Sequence, residues 1–581
     1  MIERTLEKAW GHAVAFLDRG RRVNPVDLLV LLGVAGLLLG VTRVAHEWQA
    51  TLRPVVPIDL SPWALPRYAF YSLSRGLLAY ALSLGFTLVY GYWAAKDRVA
   101  ERVLLPLLDI LQSIPILGFM PGLVLALVAV FPHTNVGLEL AAVLMMFTGQ
   151  VWNMTFSFHH SLRSVPADLQ EVATVYRYSW WERLKWVELP YSTVGLVWNS
   201  MMSMAGGWFF LMINEAFVLG PHDFRLPGLG SYMSVAVARG DGRAMLYAVS
   251  AMAVMIVVLD QLLWRPVVVW AQRFRVEESA ATQAMSSWFL DWLRHSRALL
   301  WLARSLPHLE RRAARVVPLR PAPVRAPGEP SARGRVVSMA FFVLLLALLA
   351  FGAWRLVLVL GRLEPARWLT IVGAALVTLL RVLVATVLGT LWTLPVGIAI
   401  GLSPRLSRVL QPVTQVAASF PAPMLFPAAL ALLHALDVSL NAGSVVLMLL
   451  GTQWYILFNV VAGASSIPAD LKEAARTYRL TRWQRFRMLY APAVFPYLVT
   501  GWVTAAGGAW NASIVSEYVS FEGSVHHAFG VGAQISLAAQ HADFPALAAG
   551  VLVLSLLVVL FNRTVWRRCY HLAEERFSLN R

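Results

Sequence analysis

Apolar runs of membrane-crossing length recur along this chain, separated by short polar stretches rich in arginine. Segments able to cross a hydrocarbon layer of about 30 Å fall near residues 27–45, 67–95, 104–131, 136–160, 191–214 and 244–265. A second set falls near 337–360, 368–400, 410–434, 440–462, 493–515 and 544–566. The pattern predicts an all-α polytopic membrane protein with six spans on each side of a central break. Its divisions are an amphipathic N-terminus at 1–26, a first half at 27–270, a linker at 271–336, a second half at 337–566 and a tail at 567–581.

The polar stretch after the fourth span of each half is one pattern that occurs twice. SLRSVPADLQEVATVYRYSWWERLKWVELP at 161–190 and GASSIPADLKEAARTYRLTRWQRFRMLYAP at 463–492 share 12 of 30 positions, which marks an internal repeat. Pro166 and Pro468 suit a first helical turn, and Asp168, Glu171, Asp470 and Glu473 put negative charge near its positive end. Ser179-x-x-Glu182 and Thr481-x-x-Gln484 are capping boxes that start a second helix, and Pro190 and Pro492 are expected to stop it. The repeat extends outward. Arg75 matches Arg381, Ile114-Pro115 matches Phe420-Pro421, Gly206 matches Gly508, Trp208 matches Trp510 and Glu215 matches Glu517. Both halves run in the same direction, so they form parallel repeats related by an axis along the membrane normal, with a pathway between them.

These loops resemble the EAA loop of permease subunits in binding-protein-dependent ABC importers. The second half, from TLLRVLVATVLGTLWTLPVGIAIGLS to GGAWNASIVSEYV, is similar to the nitrate/sulfonate/taurine-type permeases over about 200 residues. The resemblance implies a fused pair of type I ABC permease bundles and two copies of a cytosolic ABC ATPase that bind the ATP and Mg. It also implies a periplasmic binding protein delivering a small anion such as nitrate, a sulfonate or bicarbonate. Glu171, Ala173, Tyr176, Arg177 and Arg183, with Glu473, Ala475, Tyr478, Arg479 and Arg485, would then form the ATPase-coupling loops. One departure stands out: Arg177 and Arg479 replace the family's turn glycine, so the turn is expected to be built differently, with the arginine making a basic contact.

Composition agrees with a membrane protein. The 581 residues are 58% hydrophobic and only 14% charged, with mean hydropathy +0.61. The net charge of +17 comes from arginines between apolar spans, which the positive-inside rule explains without nucleic acid. Counting spans from a cytosolic start places both loops, the linker and both termini on the cytosolic side of a bacterial inner membrane. The N-terminal run IERTLEKAWGHAVAFLDRGRR has no small-residue cleavage site behind the first span, so a retained anchor is expected. Within 271–336, SSWFLDWLRHSRALLWLARSLPHLERRAARVV has the spacing of an interfacial helix, and PLRPAPVRAPGEP is an extended linker.

Catalytic chemistry is not written in this chain. None of its four lysines, Lys8, Lys96, Lys185 and Lys472, sits in a phosphate-binding glycine loop, so ATP hydrolysis is assigned to a partner. The thirteen histidines lack zinc spacing, and Cys569 is the single cysteine, so neither a metal nor a disulfide is expected. Polar residues within the spans are the better guide. Arg75 with Glu215 and Arg381 with Glu517 are expected to pair, either tying two helices or attracting an anionic solute. Gln150, Asn153, Asn199, Asn214, Gln415, Gln453, Asn459 and Asn511 either line the pathway or bond helix to helix. A membrane scaffold driven by an ATPase, or an exporter without a binding protein, is the alternative reading.

Overall fold

The computed structural model describes residues 25–53, 55–219, 222–274, 286–296, 332–521 and 524–577. The N-terminal run before Pro25 and most of the linker, including its proline-rich part, lie outside the described residues. The chain falls into two compact units: residues 1–47, 165–194 and 258–325, and residues 48–164, 195–257 and 326–581.

The smaller unit contains most of the apolar helix Pro25–Gln49, most of the first repeated loop and, among the described residues, 258–274 and 286–296. Short polar bonds tie its pieces. Ser296 Oγ donates to Asp27 Oδ1 at 2.7 Å, and Trp288 Nε1 donates to Gln261 Oε1 at 3.0 Å.

The larger unit is helical and contains most of both repeats. Among the described residues eight helices are long and apolar enough to cross a membrane, or nine if one bent pair counts as a span. Of the twelve expected spans, two are not single rods. The 410–434 run is Pro404–Ser419 followed by Ala422–Ala435, bent by 86° at Phe420-Pro421. The 104–131 run is likewise broken at Ile114-Pro115 into Arg98–Ser113 and Ile116–Val130. The reason is local: proline disfavours the helical region for the residue before it and brings no N–H of its own. The 136–160 run is a continuous helix, Val136–Arg163, about 42 Å long at 1.5 Å per residue, but Glu139, Gln150 and Asn153 keep it out of the most apolar class.

Downstream of the loops the repeats match element by element. Helix Leu189–Glu215 ends in a two-stranded hairpin, Ala216–Leu219 with His222–Arg225, followed by helix Leu229–Ala238. Helix Ala491–Ser516 ends in the hairpin Tyr518–Phe521 with Ser524–His527, followed by Val531–Gln540. These four-residue strands are too short to leave a periodic signature, and the sequence gives no warning of them.

One hydrophobic cluster draws on both repeats, joining Ile116, Leu117, Met145 and Phe210 to Ile371, Val382, Trp510 and Ile535. Asn511 crosses between repeats, accepting the Ile116 N–H at 2.9 Å. Gly118 faces Val551 so closely that a methyl group there would collide with it. Small residues at such contacts let helix backbones approach, which is how helices gain packing energy in a bilayer.

Candidate functional sites: twin loops and twin buried ion clusters

Each repeated loop folds as one short helix, a tight turn and a second helix that runs into the next span. In the first, helix Ala167–Val175 ends with Tyr178 N–H on Ala173 O at 2.9 Å and Arg177 N–H on Thr174 O at 3.0 Å. In the second, helix Ala469–Thr477 ends with Leu480 N–H on Ala475 O at 3.2 Å and Arg479 N–H on Arg476 O at 2.9 Å. This pair of bonds is the Schellman motif, which needs a left-handed residue after the helix. Arg177 and Arg479 supply it, at φ 52° and 48°. The expectation of a differently built turn is therefore corrected: the glycine geometry is kept and arginine adopts it. Ala173 and Ala475 are buried beneath the turns, whereas Glu171, Tyr176, Arg177, Glu473, Tyr478 and Arg479 are exposed.

The capping boxes then start the second helices. Ser179 N–H donates to Glu182 Oε2 at 2.8 Å and Glu182 N–H donates to Ser179 Oγ at 3.4 Å. Thr481 N–H donates to Gln484 Oε1 at 2.9 Å and Gln484 N–H donates to Thr481 Oγ1 at 3.3 Å. Pro190 and Pro492 do not end these helices, contrary to expectation. The first continues from Trp180 to Glu215 and the second from Arg482 to Ser516. A single wide π-turn, Leu184–Glu188 or Phe486–Tyr490, lies just before each proline. The widened turn accommodates a ring that would clash with the carbonyl one turn back.

Two of the loop arginines, Arg183 and Arg485, are half-buried and tied back within their loops. Arg183 Nη2 donates to Gln170 Oε1 at 3.3 Å, and its Nε lies 3.2 Å from Glu188 Oε1. Arg485 Nε donates to Leu480 O at 2.9 Å. Each links the second helix to the rest of its loop.

The second pair of sites lies where three long helices of each repeat meet near its hairpin. Arg75 donates from Nη1 to Glu215 Oε1 at 2.7 Å and to Pro227 O at 2.9 Å. Its Nε and Nη2 form a fork on Glu139, at 2.5 and 2.7 Å. All three charged groups are buried. In the second repeat Arg381 Nη1 donates to Glu517 Oε1 at 2.8 Å and to Phe529 O at 2.9 Å. Here Asn441 stands where the first repeat has Glu139: its carbonyl oxygens accept from Arg381 Nε at 3.1 Å and Nη2 at 2.9 Å.

Asn441 Oδ1 also accepts the Phe529 N–H at 3.0 Å, a bond that Pro227 in the first repeat has no hydrogen to make. The carboxylates are cradled alike. Gly230 N–H donates to Glu215 Oε2 at 2.7 Å, and Gly532 N–H to Glu517 Oε2 at 2.9 Å. Ser72 Oγ donates to Glu215 at 2.7 Å, and Thr378 Oγ1 to Glu517 at 2.8 Å. The extended Gly228 and Gly530 lie flat against the carboxylates, leaving no room for a Cβ. Charge is not matched: the first cluster has one guanidinium for two carboxylates, the second one for one.

The sequence anticipated the Arg75–Glu215 and Arg381–Glu517 contacts but missed Glu139 and Asn441. Their spacing from Arg75 and Arg381, 64 and 60 residues, carries no local signal; only alignment of the repeats at Glu139 and Asn441 points to them. The amides divide. Gln150 and Asn214 are buried, and Gln150 Oε1 and both polar atoms of the Asn214 side chain have no partner among the described residues. Asn153 is exposed and Gln415 half-buried. Asn199 donates to Ser157 Oγ at 2.9 Å, Gln453 accepts from Trp392 Nε1 at 3.0 Å, and Asn459 donates to its own helix at 2.8 Å. Asn199 and Gln453, like Asn511, therefore bond helix to helix.

A family model described as the binding-protein-dependent transport system inner membrane component matches residues 87–264 and again 393–565. The chain is similar to the nitrate import permease protein NrtB of Synechococcus elongatus, 27% identical over 150 residues, 26% of this chain and 52% of the relative. It is similar also to the bicarbonate transport system permease protein CmpB of the same species, 30% identical over 125 residues, 21% of this chain and 43% of the relative. The glycine betaine/carnitine transport permease protein GbuB of Listeria monocytogenes is 26% identical over 252 residues, 41% of this chain and 79% of that protein. The chain thus spans about half the length of the nitrate and bicarbonate relatives. Because the family's unit is matched twice, once on each side of the linker, the chain belongs to the binding-protein-dependent transport system inner membrane components and carries two copies of that permease unit.

Proposed function

We propose that this protein is the membrane-spanning subunit of an ATP-driven importer for a small anion of the nitrate or bicarbonate kind. Two separate cytosolic ATPase subunits bind ATP and Mg, and a periplasmic binding protein delivers the solute. The observation that carries the reading is the pair of loops with the same backbone plan: Schellman turn, capping box, π-turn, proline. A passive channel has no use for such a pair. Each loop offers an ATPase a short exposed helix whose rim carries Glu171 or Glu473 and whose tip carries Tyr176 or Tyr478.

In this reading ATP-driven closure of the ATPases pulls on the loops and rocks the two permease units between inward and outward states, an equilibrium biased by ATP and released by hydrolysis. In each loop the tied-back arginine, Arg183 or Arg485, joins the second helix to the part of the loop before it. Both ends of the chain face the cytosol, as the arginine distribution favours. The ion clusters Arg75–Glu139–Glu215 and Arg381–Asn441–Glu517 clamp the helices of each unit. The burial of their charged groups and their engaged donors favour that role over contact with solute.

The test is reconstitution with the ATPase. Glu171→Lys and Glu473→Lys together should abolish solute-stimulated ATP hydrolysis while the purified chain keeps its wild-type thermal unfolding. Intact stimulation in that double variant, or ATP hydrolysis by the chain alone, would end this reading.

A further inference from the structure

The two loops share a backbone and the exposed Glu171/Glu473, Tyr176/Tyr478 and Arg177/Arg479, but the rest of their surfaces differ. From Pro166 to Pro190 the first has four acidic residues, Asp168, Glu171, Glu182 and Glu188, against Arg177, Arg183 and Lys185. From Pro468 to Pro492 the second has only Asp470 and Glu473, against Lys472, Arg476, Arg479, Arg482, Arg485 and Arg487. The first is formally −1 and the second +4.

The differences fall largely on exposed positions. Where the first loop exposes Val175 at 77% and Trp180 at 60%, the second has Thr477 and an exposed Arg482. Thr174 is answered by Arg476, and Gln170 by Lys472. The tie-backs differ too: Arg183 lies against the buried Glu188, while the second loop has Tyr490 at that position and Arg485 donates to a main-chain carbonyl.

Resting on the importer reading, we propose that the two docking contacts are physically unequal. The 469–490 loop binds an ATPase subunit through an acidic rim around the socket, steered by charge and weakened by salt. The 167–188 loop binds mainly by burying Val175 and Trp180 and responds little to salt. Screening acts on exposed charges over about 10 Å at 0.1 M ionic strength, and burial of apolar side chains is not weakened by it. An ATPase pair attached through such loops has a salt-labile member and a salt-resistant one.

The test titrates the purified full chain, in lipid nanodiscs with non-hydrolysable ATP, with the ATPase subunit that co-purifies with it. Wild-type protein should bind two copies in two steps, one weakening about tenfold or more between roughly 0.05 and 0.5 M salt and the other changing little. A variant carrying the first loop's residues in the second, Lys472→Gln, Arg476→Thr and Arg482→Trp, should lose the salt-sensitive step. The reciprocal Gln170→Lys, Thr174→Arg and Trp180→Arg should gain one in the first loop. Two copies bound with the same salt response in the wild type, or an unchanged response in both variants, overturn this inference alone. No bound ATPase at all overturns the importer reading with it.

Discussion

Arg177 and Arg479 hold the same left-handed backbone conformation, φ 52° and 48°, at equivalent turns of the two repeated loops. A side chain there costs on the order of 1 kcal/mol relative to glycine, so the backbone alone gives no reason for arginine. Both are exposed, and neither side chain donates a hydrogen bond among the described residues, so the turn gains nothing from the guanidinium. Arg177→Gly with Arg479→Gly should therefore leave thermal unfolding unchanged or slightly raised. ATPase activity coupled to solute should fall at least severalfold. A fall in stability of more than about 1 kcal/mol would show that the arginines support the loops themselves.

The glycines that cradle the buried carboxylates make a sharper stability test. Gly228 and Gly530 are extended, so any residue could adopt their backbone angles; what excludes a side chain is the carboxylate of Glu215 or Glu517 lying against them. Gly228→Ala or Gly530→Ala must displace a buried, fully bonded carboxylate, at a cost of roughly 2–4 kcal/mol. Gly507→Ala serves as the control, because a methyl group there meets nothing within 4 Å and improves helix propensity. Denaturation in detergent should rank the cradle variants well below the control. Equal stability would mean the clusters yield easily and do not clamp the helices.

Much of this architecture is legible in the sequence, because a bilayer imposes length and polarity on whatever crosses it. The spans, the capping boxes at Ser179 and Thr481, and the pairing of Arg75 with Glu215 and Arg381 with Glu517 follow from periodicity, spacing and the cost of buried charge. What stays hidden is geometry that hydropathy does not encode. An apolar run reads the same whether straight or bent by 86°, and of the four prolines in this one, Pro412, Pro421, Pro423 and Pro427, nothing local singles out Pro421 as the bend. Pro190 and Pro492 read as stops because a π-turn that accommodates a proline has no composition of its own. Glu139 was passed over because an acid in the first turn of a helix is ordinary there, stabilised by the helix dipole.

The unequal charge of the clusters sets the last prediction. Removing Arg381 strands one buried carboxylate beside neutral Asn441, and breaking a buried pair in this way costs about 3–5 kcal/mol. Removing Arg75 strands two carboxylates, Glu139 and Glu215, so Arg75→Ala should be the worse of the two, with lower yield of folded protein and an earlier unfolding midpoint. Glu139→Asn places in the first repeat the residue that the second carries at 441. It removes one buried negative charge and leaves Arg75 its bonds to Glu215 and Pro227, so it should cost less than about 2 kcal/mol. Combined with Arg75→Ala it should recover part of the lost stability, since one stranded carboxylate is then gone. If Glu139→Asn proves as damaging as Arg75→Ala, the guanidinium depends on the Glu139 fork alone, and the correspondence between Glu139 and Asn441 does not extend to energy.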